Sequence, residues 1–173
     1  MVALGNVRNG KAGNPNLPTA QNMLEMRYDM RLEAEAQAYA NTCPTSESAT
    51  SGENFALVSP TTITPLQAVV QAVKSWWSVI WRNGINRRLV YTIFLERKPT
   101  SPRTFTQARQ KSMAWAGSYR IGCGVRICGG SRVVVCRYSP KGNIYFQQVY
   151  IPGPVCGSCF SSCRDGLCAA PAA

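Results

Sequence analysis

Hydrophobic positions recur at helical spacing through the first two thirds of the chain and at strand-like spacing after it. Met23, Met26 and Met30, three and four residues apart, predict a helix beginning near Thr19. A second helix is expected over about 31–41. Leu32, Ala36, Tyr39, Ala40 and Cys43 fall on one side of it, Glu33, Glu35 and Gln37 lie largely outside, and Pro44 stops it. The stretch from Pro44 to Ile63 is polar and turn-rich and reads as a loop. Thr64-Pro65-Leu66-Gln67 combines a capping threonine, proline at the first helical position and glutamine three residues past the cap, a strong helix start. Leu66, Val69, Val70, Val73, Trp76, Trp77 and Ile80 give that helix a broad apolar face to about Trp81, and Asn83-Gly84 ends it. Trp76, Trp77 and Trp81 are read as core. Residues 89–95 form an apolar stretch of open type, and 96–103 are basic and proline-bearing, hence exposed. A short helix is expected over 106–116, anchored by Met113 and Trp115.

Three strands follow, Arg120–Cys128, Arg132–Tyr138 and Ile144–Tyr150. Gly129-Gly130 joins the first two as a hairpin and residues 139–143 join the second to the third. Successive Val133, Val134 and Val135 require cover on both faces of the middle strand, as in an antiparallel sheet with helices on each side. The opening residues to Pro18 are rich in glycine and proline and read as loop. After Pro152, Cys156, Cys159, Cys163 and Cys168 stand with few aliphatic residues between them, so cross-links rather than a core must hold that segment. The expected division is a domain over 1–152 and a cysteine-rich, hinge-like tail over 153–173.

Composition narrows the function. The 173 residues suit one domain with an appendage, and 8 cysteines spread from Cys43 to Cys168 point to disulfides made in an oxidising compartment. Secretion is expected, although the opening Met1-Val2-Ala3-Leu4-Gly5-Asn6 is not a signal peptide. No run approaches the roughly 18 apolar residues of a membrane span. The net charge of +11 favours acidic partners such as lipid headgroups, sulfated glycans or acidic protein faces. Its basic residues are dispersed, with Arg87-Arg88 and Arg97-Lys98 as short clusters, which reads first as a solvated surface. No recognition helix carries clustered Arg or Lys, so DNA is not an expected partner. The chain has no histidine. That removes the usual neutral-pH base, the Ser-His-Asp and Cys-His nucleophiles, and histidine metal sites.

Several segments together resemble a known family. Asn22-Met23, Tyr28-Asp29, Leu32 and Ala36-Gln37 fit its early helix pattern, Gly52-Glu53-Asn54-Phe55 its Gly-Glu-Asn motif, and Gly122-Cys123-Gly124-Val125 its core strand. Cys136-Arg137-Tyr138-Ser139-Pro140-Lys141-Gly142-Asn143 fits its late Cys-x-Tyr-x-Pro-x-Gly-Asn signature. The chain resembles the CAP superfamily of cysteine-rich secretory, antigen 5 and pathogenesis-related 1 proteins. The Ala-Leu-Gly start, the Pro-x-x-x-Asn-Met run and the four-cysteine tail look most like the activation-associated and venom-allergen-like secreted proteins of parasitic nematodes.

The resemblance implies an α+β fold, a three-layer α-β-α sandwich around a central antiparallel sheet with a short cysteine-rich tail. It also implies a first helix that would precede Met1. The family's cleft carries two histidines and two glutamates that hold a divalent metal in some members; these positions fall at Glu47, Glu53, Val79 and Arg109, with only Glu53 kept. Glu47, Glu53 and Arg109 would form a charge-compensated set, an arginine accepting no metal. The expectation is no metal, no cofactor and no catalytic residue. The resemblance further implies the pairs Cys43 with Cys123, Cys128 with Cys136, Cys156 with Cys163 and Cys159 with Cys168. Cys156-Gly157-Ser158-Cys159 has redox spacing but lacks the βαβ context, so it reads as structural.

Three functions compete. The leading one is a secreted interaction module for a host extracellular protein or a lipid or sterol, monomeric or weakly dimeric, with Arg97, Lys98, Arg103 and Phe105 as lipid or anion contacts. Lipid could instead lie among Met23, Met26 and the tryptophans. The second is a protease using Ser48 and Glu53, for which Lys111 would have to act as base. The third is a sulfated-glycan binder, marked by salt-sensitive retention on heparin.

Overall fold

The helix start at Thr64 forms as its four residues dictate. The Thr64 hydroxyl accepts the Gln67 N–H and the Gln67 side chain accepts the Thr64 N–H, opening a helix (α2, Pro65–Asn83) that closes at Gly84. The computed structural model describes residues 1–49, 52–97 and 114–172. Before α2 come a two-residue strand (β1, Arg27–Tyr28), a helix (α1, Met30–Asn41) and a strand (β2, Glu53–Val58). After it come a short helix (α3, Ile93–Arg97) and the long hairpin β3 (Arg120–Cys128) and β4 (Ser131–Ser139). Two residue pairs in the tail form β5 (Cys163–Arg164) and β6 (Leu167–Cys168). Of the helix expected over 106–116, residues 106–113, with Met113, lie outside the described residues; 114–116 are not helical, and Trp115 is buried.

The sheet order is β1-β3-β4-β2. Pairing is antiparallel except at β1, which runs parallel to β3 and makes the sheet mixed. The three valines divide as their alternation requires. Val133 and Val135 pack on Ala36 and Ala40 of α1, while Val134, Cys136 and Tyr138 pack on Ala68, Ala72 and Trp76 of α2. Gly122 and Gly124 let α1 lie directly on β3. A Cβ at Gly124 would stand 2.4 Å from the backbone N and Cα of Gln37. The same Gln37 offers its amide to the strand, its Oε1 accepting the Val125 N–H at 2.9 Å and its Nε2 donating to the Val125 carbonyl at 3.1 Å. A further cluster lies beyond α2, where Ile80 and Trp77 meet Val2, Val7, Leu17, Tyr91 and Tyr150.

Five sequence expectations are corrected. No helix forms from Thr19. There the N–H groups bond to remote carbonyls, Gln21 to Ile151, Glu25 to Cys168 and Arg27 to Tyr119, so the segment threads as extended chain. Of its methionines only Met23 is buried, and Met30 is 67 % exposed. The loop assigned to 44–63 contains β2. Ile144–Tyr150 is not a strand; Asn143 and Phe146 have positive φ, and the segment bonds to Leu89 and Tyr91 instead of β4. On α2, Leu66 and Trp81 are exposed, because the helix buries the stripe of Ala68, Ala72, Trp76 and Ile80.

The fifth correction concerns the cysteines. The bridges are Cys43–Cys128 and Cys123–Cys136. Register decides it: Cys123 stands directly opposite Cys136 across the β3–β4 ladder, whereas Cys128 sits at the hairpin end opposite Ser131. Cys43, just past the end of α1, meets it there. The tail pairs Cys156–Cys163 and Cys159–Cys168. Backbone bonds fasten this tail to the body, from Ser158 N–H to the Gln21 carbonyl and from Cys168 N–H to the Met23 carbonyl.

Candidate functional site

Glu53 opens β2 and is completely buried, an unusual place for a carboxylate. The preceding Gly52 sits at φ +80°, and a Cβ there would come within 2.8 Å of the Tyr138 carbonyl. This close approach sets the β2–β4 register and puts Glu53 opposite Arg137. Arg137 Nε donates to Glu53 Oε2 at 3.1 Å, and its Nη1 donates to Glu35 Oε2 on α1 at 3.2 Å. From the other side the Ser48 N–H donates to Glu53 Oε1 and the Ser48 hydroxyl to Oε2, both at 2.8 Å. One buried carboxylate thus joins the loop after α1 to the sheet, with an arginine balancing its charge.

The surroundings complete this lock. The Tyr39 hydroxyl donates to the Ser46 carbonyl at 2.9 Å. Its phenol is held above its ordinary value by desolvation and then by the negative charge of Glu53. On the opposite face of the sheet, Asn54 Nδ2 donates to the Tyr138 hydroxyl at 3.1 Å, and burial pushes the Tyr138 phenol well up.

Of the four expected cleft positions, Glu47 is exposed on the loop that carries Ser48, and its charge is felt at Tyr39 together with that of Glu53. Val79 is half-buried on α2, the helix that covers the other face of the sheet. Arg109 lies outside the described residues. The guanidinium that the structure does show on Glu53 belongs to Arg137, which sequence reasoning missed although it stands inside the Cys136–Asn143 signature. Arg97 is exposed at the end of α3. Lys98, Arg103, Phe105 and Lys111 lie outside the described residues. Met23, Met26, Trp77 and Trp115 do share a cavity, of about 170 Å³. In the tail, the sulfurs of Cys156, Cys159 and Cys168 cluster within 4.8 Å. Each is committed to a disulfide, and Cys156 and Cys159 belong to different bridges, so they form neither a thiolate metal set nor a redox pair.

A family model described as CAP, the cysteine-rich secretory protein family, matches residues 6–138. The chain belongs to the CAP family. Ancylostoma secreted protein of Ancylostoma caninum is 32 % identical over 165 residues, covering 90 % of this chain and 38 % of that protein. The CAP chain therefore spans well under half the length of that curated relative. A crystal structure of NaASP2 with Zn2+ superposes with a TM-score of 0.85 at 30 % identity, covering 96 % of this chain and 86 % of that one. Hookworm platelet inhibitor gives 0.63 at 28 % identity, covering 87 % and 78 %. These similarities place the CAP chain with secreted, disulfide-bonded proteins of nematodes. Among the described residues no helix is long and apolar enough to cross a membrane.

Proposed function

We propose that this CAP protein is a secreted module that acts by binding a host extracellular protein and catalyses no reaction. The observation that carries the reading is the engagement of Glu53. Both its oxygens accept donors from Ser48 and Arg137, it has no exposed surface, and the chain has no histidine. A general base needs a free lone pair within reach of substrate, and a zinc site needs ligands that are not opposed by a fixed cation. The Ser48 hydroxyl gives its hydrogen to Glu53, but that carboxylate lies out of reach of solvent and its two oxygens already accept the Ser48 N–H and the Arg137 guanidinium.

The cavity among Met23, Met26, Trp77 and Trp115 is itself too small to carry a sterol or fatty acid. Its 170 Å³ is well below the roughly 300–1,000 Å³ of sites that take ligands of drug or sterol size. Steady-state assays with peptide and ester substrates, together with zinc titration by calorimetry, test the reading. No turnover and no stoichiometric zinc uptake are expected. Turnover lost in Ser48→Ala or Glu53→Gln would overturn the reading, as would one tightly held zinc ion per chain.

A further inference from the structure

A groove of about 690 Å³ opens at the end of α2, in the size range of ligand sites. Buried Leu95, half-buried Val90, the rings of Phe94 and Phe146 and the exposed Arg87 and Arg88 are among the residues that line it. Among the described residues that line it none is acidic. The two rings are themselves in water, Phe94 81 % and Phe146 74 % exposed. Phe146 is held in this position at φ +64°, a conformation a bulky side chain seldom adopts, and its N–H donates to the Tyr91 carbonyl. The frame is preorganised. Tyr91 and Tyr145 stack at 5.5 Å, the Tyr145 hydroxyl bonds Glu96, and the Asn86 side chain bonds both the N–H and the carbonyl of Val90.

We propose that this groove docks an acidic segment of a partner protein. A large apolar side chain of that segment enters between Phe94 and Phe146, and a neighbouring carboxylate pairs with Arg87 or Arg88. Charge complementarity selects the occupant: two exposed guanidiniums line the groove, its neighbouring carboxylate, Glu96, is engaged by the Tyr145 hydroxyl, and the chain carries a net charge of +11. Exposure of the rings selects its class. A free lipid is held by burying most of its surface, and beside one these two rings would stay wet; a macromolecule covers groove and rings together. Rigid aromatics beside arginines are also the residue types that concentrate binding energy in protein interfaces.

The inference rests on the binding reading above and assigns its surface. The test pans the disulfide-intact full chain against a random peptide library and measures selected synthetic peptides by fluorescence anisotropy. Peptides combining Asp or Glu with Phe, Leu or Trp are expected. The double variant Arg87→Glu/Arg88→Glu and the single variant Phe94→Ala should each weaken them at least tenfold, with near-ultraviolet circular dichroism unchanged because these side chains lie outside the core. The remote double reversal Arg126→Glu/Arg164→Glu should stay within twofold. Peptides without the acidic and apolar pattern, or equal affinity in the groove variants, would refute the site while leaving a binding function intact. Groove-dependent binding to phosphatidylserine vesicles in place of peptides would refute it too. Enzymatic turnover would instead remove the reading beneath it.

Discussion

Arg137 and Glu53 are worth more as a pair than either is alone. Glu53 has no contact with water and Arg137 is 13 % exposed, so removing the cation strands a buried carboxylate with, among the described residues, the Ser48 donors named above. Arg137→Met is expected to cost about 3 kcal/mol in denaturant unfolding, and adding Glu53→Gln should recover part of it, since deleting both charges is cheaper than deleting one. The buried phenols make a second residue-scale prediction. Burial raises Tyr138 and Tyr150 above the ordinary 10.0. The fold thus keeps them neutral, and the stability this contributes is complete below pH 10 and drains away as alkali ionises them in the unfolded chain. The denaturation midpoint should therefore fall above about pH 10 and be flat with respect to these groups below it. At this scale the sequence was informative about Glu53, whose Gly-Glu-Asn setting marked it, and silent about Arg137, because only strand register puts residues 84 positions apart into contact.

Among the elements, those with local causes were legible before the structure. The capping box, Pro44 beyond α1, and Gly129-Gly130 in the hairpin are written in a few adjacent residues. What escaped depends on partners elsewhere. The methionine spacing at 23–30 imitates a helix, but the tail and residues 116–121 take its backbone bonds. β2 hides because it begins with two polar residues that can be buried only once Arg137 and Tyr138 on β4 bond their side chains. Cysteine pairing likewise follows register. Non-reducing peptide mapping should link Cys43 to Cys128 and Cys123 to Cys136. By loop length the former, closing 85 positions, is worth about 4.5 kcal/mol and the latter, closing 13, about 3 kcal/mol. The seat of α1 is equally exacting. Gly124→Ala should lift the helix off β3 and cost about 3 kcal/mol in thermal or denaturant unfolding, since the new methyl meets backbone rather than a side chain that can turn away.

For the molecule as a whole, the layers run α1, sheet, α2, and then the irregular cluster built from residues around Val2, Tyr91 and Tyr150. The groove belongs to that last layer, where residues 84–95 meet Phe146, and no sequence window contains both. Charge acts over the same scale. With +11 on the chain, association with an acidic peptide should slow severalfold between low and physiological salt while dissociation changes little, as stopped-flow mixing would show. Gln37 bears on the whole molecule as well. Its amide meets the outward N–H and carbonyl of Val125, past the point where β1 ends, and so impersonates a neighbouring strand. A ladder terminated in this way offers no vacancy at Val125 to the strand of a passing copy, the kind of pairing an open sheet edge invites. Glutamate could not donate and asparagine would fall short, so closing the ladder at this point takes one side chain of the right length.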